Sequence, residues 1–251
     1  MTETTPATAP PARRRRTPWR AAFFALAGLA IVAGVAWALL GSRLFVVRSV
    51  TVTGTHLVTQ AQVIAAADVP LGTSLIGVNA GQVARRVESI RQVASASVAK
   101  DWPDHLVITV RERVPVFAVK MTGGGYDLVD PTGVIVRWSP AQPARLPLYL
   151  TTLTGGGLRG DPGLATAAAV VAELSPSISA QVANVGVIQV LAGQGVTADE
   201  AYQVLLGLRD HKTILWGGTG DAAAKNRELA VLMRGSATYF DVSAPGTVVT
   251  K

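Results

Sequence analysis

The side chains able to carry chemistry are few and far apart. His56, His105 and His211 each fall beside a turn or a strand end, and no H-E-x-x-H or similar ligand spacing joins them. They read as solvated loop histidines, not metal ligands. Cysteine is absent, which removes thiol nucleophiles, zinc ribbons, disulfides and iron–sulfur clusters together. For serine chemistry there is neither a G-x-S-x-G elbow nor a K-T-G box. The glycine runs 123–125 and 155–157 lack the Lys and Ser/Thr of a phosphate-binding loop. Glycan cleavage needs two carboxylates brought together, whereas Asp127, Asp130, Asp161 and Asp241 each have a turn or capping role. The expectation is no catalytic residue, no metal, no cofactor and no small-molecule substrate. Binding is what remains, and a mixed sheet that ends in an edge strand offers unpaired amides and carbonyls to another chain.

The chain must place such a sheet somewhere, and its charge says where. Of the net +7, Arg13, Arg14, Arg15, Arg16 and Arg20 against Glu3 supply +4 within the first twenty residues. The +3 left for the other 231 residues is too little for a nucleic-acid footprint. The stretch 21–40, AAFFALAGLAIVAGVAWALL, is twenty apolar residues, enough at about 1.5 Å each to cross the hydrocarbon core as a helix. Trp19 and Trp37 fall near its two ends, where indoles favour the interface. The arginines on its N-terminal flank keep that end in the cytoplasm and send the C-terminal mass outside, a single-pass type II arrangement. Ala36-Trp37-Ala38 fits a signal-peptidase site, but the apolar run is longer than a cleaved signal needs. The expected division is a disordered basic tail (1–20), a transmembrane helix in the lipid bilayer (21–41) and two exported units (44–114 and 115–251).

The first unit reads β-α-α-β-β. Val50 and Val52 alternate with Ser49, Thr51 and Thr53 in a strand. Thr59 with Gln62 forms a capping-box pattern opening a helix that buries Val63, Ile64 and Ala67. Asn79 opens a second, with Val83, Val87 and Ile90 inward and Arg85, Arg86 and Glu88 in water. VASASVAK and HLVITVRER are strands joined at Asp101-Trp102-Pro103-Asp104. In the second unit, Asp130-Pro131-Thr132-Gly133 is the turn of a hairpin. Leu146–Leu150 is a strand whose Pro147 suggests an edge. Gly155–Gly157 is a loop, and Asp161-Pro162 opens a helix. Strands follow at Val182–Leu191, Val204–Leu208 and Thr213–Trp216, then a helix capped by Asp221 with Leu229, Leu232 and Met233 inward. A last strand covers Thr238–Val242. The fold class is α+β.

VRSVTVTGTHLVT, followed by LIGVNAGQVARRVESIRQVASASVAKDWPDHLVITVRERVPVFAV, resembles the POTRA module of the FtsQ/DivIB family of bacterial division proteins. VDPTGVIV, RLPLY, WGGTGDAAAKNRELAVLMR and ATYFDVSAPG resemble landmarks of that family's C-terminal β domain in its actinobacterial form. The resemblance implies a non-enzymatic scaffold in the cytoplasmic membrane at the division septum, which recruits other septal proteins. It implies the FtsB–FtsL complex as partner, joined by strand addition between Tyr239 and Val249. The contact residues would be Tyr239, Phe240, Val242, Ser243, Gly246, Thr247, Val248 and Val249, through the backbone edge before any side chain. Tyr239 and Phe240 point to opposite faces of their strand, so at most one packs in the core. Arg85 and Arg86 are either a partner patch or a solvated helix face. An anchored POTRA component of polypeptide export, or an anchored cell-wall hydrolase, would be the alternatives.

Overall fold

The computed structural model describes residues 18–41, 45–153, 155–190, 201–244, 246 and 249–250. The arginines at 13–16 lie outside these residues, as does the side chain of Arg20. Helix α1 (Pro18–Gly41) runs 24 residues, and its Phe23, Phe24, Leu26, Leu29, Ile31 and Val32 are 62–73% exposed. Among the described residues no helix is long and apolar enough to cross a membrane.

The first lobe is a three-stranded sheet carrying two helices on one face. Its elements are β1 (Ser49–Thr53), α2 (Gln60–Ala67), α3 (Ala80–Glu88), β2 (Val93–Asp101) and β3 (His105–Glu112). The order is β1-β3-β2, with β1 parallel and β2 antiparallel to the central β3. The two helices supply the crossover that a parallel β1–β3 pair demands. Thr59 and Gln62 close the capping box reciprocally, and the Asn79 side chain accepts from Gln82 N. Val52, Leu106, Ile108 and Val110 pack on Val63, Ala67, Val83 and Val87. Thr51, Thr53, Ser95, Ser97 and Thr109 occupy the open face. Two expectations are corrected. Ile64 is 42% exposed, because Val63 and Ala67 alone fill the face that α2 presents to the sheet. Arg86 does not simply face water: its guanidinium reaches the Asp68 carbonyl (3.3 Å) and carboxylate (3.9 Å) at the C-terminus of α2.

The second lobe is a nine-stranded mixed sheet. It comprises β4 (Phe117–Lys120), β5 (Tyr126–Val129), β6 (Ile135–Ser139), β7 (Leu148–Leu150), a 3-10 turn (Gly155–Leu158), α4 (Pro162–Glu173), α5 (Pro176–Ser179) and β8 (Val182–Gln189). β9 (Tyr202–Leu208), β10 (Thr213–Gly217), α6 (Ala222–Leu232), β11 (Tyr239–Asp241) and β12 (Val249–Thr250) complete it. The order is β12-β11-β10-β9-β8-β7-β4-β5-β6. Its core gathers Phe117, Val129, Leu164, Val170, Val185, Leu206, Trp216, Leu229 and Phe240.

Four features of this lobe differ from the sequence reading. β7 is interior, parallel to β4 on one side and β8 on the other. Pro147 is tolerated because it precedes the strand and contributes a carbonyl, which accepts Ala118 N at 3.0 Å. The glycines at 155–157 form part of a 3-10 turn instead of a plain loop, and β4 was not anticipated. Asp221 precedes α6 in the left-handed region and makes no side-chain cap.

A buried sheet residue and the exposed helix residue Ile64 give a test. Leu106→Ala, at a fully buried site, is expected to cost about 2–5 kcal/mol. Ile64→Ala should cost about 1 kcal/mol or less. Denaturant unfolding of the two variants checks the assignment, and equal losses would refute it.

Candidate functional site

The C-terminal end of the large sheet is built by β10, α6 and β11, with β12 returning along the outside. β10 and β11 are parallel, Ile214 opposite Phe240, so the chain must cross over between them, and α6 does so. Ile214, Trp216, Leu229, Phe240 and Val242 are fully buried there. Strand alternation then leaves Tyr239 and Asp241 half-buried. Asp241 turns the chain after the strand, its Oδ1 accepting from Ser243 N (3.0 Å) and Ser243 Oγ (2.7 Å). Gly217 lets this turn approach: it has φ +80, and a Cβ there would lie 2.8 Å from Ser243 Cβ. Farther on, Gly246 N donates to Glu228 Oε1 on α6 at 2.9 Å. β12 then pairs antiparallel with β11, Thr250 opposite Phe240 and Val249 opposite Asp241, and it is the terminal strand of the sheet. The open edge therefore belongs to β12 and not to β11. Its outer side presents main-chain donors and acceptors to any extended segment laid against it.

This sharpens the list of contact residues. Phe240 and Val242 are 0% exposed, so neither side chain can meet a partner. Expecting contact from them is corrected: the crossover through α6 turns that face of β11 into the core. Tyr239 is half-exposed, Ser243 is engaged by Asp241, and Gly246 is exposed in a positive-φ turn. Val249 takes part through its main chain. Thr247, Val248 and the side chain of Val249 lie outside the described residues.

Residues 45–113 match the family of FtsQ-type POTRA domains. Over 233 residues the chain is 34% identical to cell division protein FtsQ of Streptomyces venezuelae, covering 90% of this chain and 82% of that one. It is 35% identical to the FtsQ proteins of Mycobacterium leprae over 239 residues (95% and 64% of the two chains) and of Mycobacteroides abscessus over 225 residues (89% and 67%). The chain belongs to the FtsQ family of cell division proteins. It spans a little under two thirds of the length of the M. leprae FtsQ.

Within this FtsQ-family fold the groups capable of chemistry stay dispersed. His56 lies by the β1–α2 loop, His105 Nδ1 sits 2.5 Å from Asp104 Oδ1, and His211 occupies a left-handed turn position. Among the described residues no three His, Asp or Glu gather as a metal site. Ser97 and Lys100 stand at S-x-x-K spacing, but in the extended β2 they point to opposite faces, and Lys100 Nζ donates to Ile76 O (2.8 Å). Asp161 caps α4 through Leu164 N (3.0 Å) and contacts the Tyr149 hydroxyl. Asp127 is corrected, since it sits within β5 and serves no turn. Burial pushes its carboxyl up, against the nearby Arg91 charge.

Several anchoring residues gave no sequence signal. Glu112 accepts the N–H groups of His56, Leu57 and Val58 at 2.8–2.9 Å, pinning the β1–α2 loop to the end of β3. Lys225 is buried on α6, donates to Gly218 O (3.1 Å) and lies 5.4 Å from the centre of the Trp216 ring; burial lowers its pKa. Asn226 ties α6 to the end of α4, receiving Ser175 N and donating to Glu173 O. Arg113, between the lobes, holds Asp130 at 2.6 Å.

Burial pushes the Glu112 and Asp130 carboxyls up, but their hydrogen bonds outweigh it and hold both below the usual range. A lowered folded-state pKa means stability that is complete above the unfolded carboxylate range and is lost as pH falls through the folded values. The melting temperature should be flat above about pH 6 and drop below about pH 4. Asp130→Asn should cost about 3 kcal/mol at neutral pH and make the acid limb shallower. Calorimetry across pH measures both, and an unchanged acid limb would count against the assignment.

Proposed function

We propose that this FtsQ-family chain is a non-enzymatic scaffold of the division septum. In this reading it is anchored in the cytoplasmic membrane by residues 21–41, with its N-terminus in the cytoplasm and both lobes outside. It recruits other membrane proteins of the division machinery, the FtsB–FtsL complex first, by strand addition at its C-terminal edge. The observation that carries the proposal is the end of the nine-stranded sheet: a two-residue strand, β12, with no strand on its far side among the described residues. Strand addition takes affinity from main-chain hydrogen bonds and so needs few particular side chains. That suits an end of the sheet where Phe240 and Val242, behind the edge strand, are already committed to the core. Anchoring supports the same reading, because confining partners to two dimensions raises their effective concentration without new contacts. The anchor rests on the twenty apolar residues and on the arginines before them.

Removing residues 238–251 outright would also remove Phe240 and Val242 from the core, so proline substitutions are the cleaner probe. Consecutive strand residues point their N–H groups to opposite sides, so proline at 249 or 250 removes either an outward donor or a β11–β12 bond, and in both cases leaves the core side chains in place. Val249→Pro and Thr250→Pro should each reduce capture of purified FtsB–FtsL about tenfold or more with little change in melting temperature. Undiminished capture by both would sink the edge mechanism. For the anchor, a reporter fused after Lys251 should be active only outside the cytoplasm; cytoplasmic activity would reverse the topology.

A further inference from the structure

The two lobes meet around a cleft of about 420 Å³ that the C-terminal edge does not use. Its walls come from the end of α3, from the inter-lobe linker, from the β5–β6 turn and from the 3-10 turn. Three arginines line it, Arg91, Arg113 and Arg159, against one carboxylate, Glu88. Arg113 is held in place by Asp130 (2.6 Å), and its Nε is buried without a hydrogen-bond partner. Arg91 and Arg159 are exposed, and neither joins an ion pair among the described residues. Glu88 is partly spent, its Oε1 accepting Ala96 N at 3.0 Å. Between these charges Ile90, Val134 and Ile135 give half-buried aliphatic wall.

We propose that this inter-lobe cleft is a second docking site, for a short polypeptide segment in which acidic and aliphatic residues alternate. Two exposed guanidinium groups outside any ion pair among the described residues, Arg91 (which also acts on the nearby Asp127) and Arg159, beside a fixed third favour carboxylates, which they can hold in charge-assisted and bidentate hydrogen bonds. The aliphatic wall asks for apolar side chains between those carboxylates. A bare inorganic anion would leave it uncovered. Arg113 links the walls, its side chain on Asp130 and its N–H on Gln92 O, which limits the ordering needed on the protein side. The site is separate from β12, so a partner can hold both at once, or two partners can hold one each.

The test uses the full chain in detergent micelles and a fluorescein-labelled acetylated ELEVEL hexapeptide, read by anisotropy. Saturable binding is expected, weakening about tenfold or more for the QLQVQL peptide and falling with added salt. The Arg91→Glu/Arg159→Glu variant should lose about tenfold or more in affinity, and a KLKVKL peptide should bind it better than it binds the parent chain. Arg159→Glu alone should retain part of that loss if the Arg91 change disturbs Asp127. Absence of binding to the parent chain would overturn the proposal. So would equal affinity for ELEVEL and QLQVQL, or unchanged affinity in the variants. Tighter binding of N-acetylmuramoyl dipeptide than of ELEVEL would also overturn it, since the carboxylate source would then be cell wall and not protein. None of these readings depends on the β12 edge, whose proline variants should bind ELEVEL normally.

Discussion

The Asp130 carboxylate ties the two lobes together. One oxygen closes the β5–β6 turn, accepting Thr132 N, Thr132 Oγ1 and Val134 N at 2.8–2.9 Å; the other receives Arg113 Nη1 at 2.6 Å from the linker. A carboxylate that is 4% exposed is costly to bury unless each lone pair is matched, and here the ring of donors matches them. Arg113 is itself held on the other side, its N–H donating to Gln92 O at 2.7 Å. With Val116 N bonded to Val129 O, the four residues between the lobes are tied at both ends. The turn that Asp130 organises also packs tightly. A Cβ on Gly133 would lie 1.8 Å from Leu158 O, so only glycine lets the 3-10 turn close against it. That junction lies at one end of the large sheet, whose strands run on from it through β4 and β7 to β12.

The far end of that sheet follows from a parallel connection. Because β11 lies parallel to β10, α6 must cross one face, and the side chains of β11 on that face become core. Residues farther along the chain then pair with the outer side of β11. β12 does this with two paired residues, and the Glu228–Gly246 bond steadies the turn leading to it. A strand so short, with no further strand beside it among the described residues, is too brief to template uncontrolled pairing.

Charge within the folded part is organised by proximity more than by amount. The positive excess outside the basic tail is small. Yet Arg91, Arg113 and Arg159, separated in the chain by 22 to 68 positions, line one cleft. Glu112 shows the reverse case, one anion serving three successive amides in a loop more than fifty residues earlier. Such clusters strengthen where water is partly excluded, which is why they sit at junctions and not on open faces.

The sequence by itself determined what local chemistry controls. Strand alternation in 49–53 and 105–112, the capping box at Thr59, the Asp161-Pro162 helix start and the Asp130–Gly133 turn were legible because each depends on residues within a few positions of one another. The shared division-protein motifs were legible for the same reason, as ordered phrases of residues. Only the tertiary structure decided which strand lies beside which. It placed Pro147 next to an interior strand, moved the open edge from β11 to β12 and buried Phe240 and Val242. It also paired Arg113 with Asp130 and seated Lys225 beside Trp216. Those outcomes depend on contacts between distant segments, and a pattern of period two or 3.6 says which face of an element is buried but not what buries it.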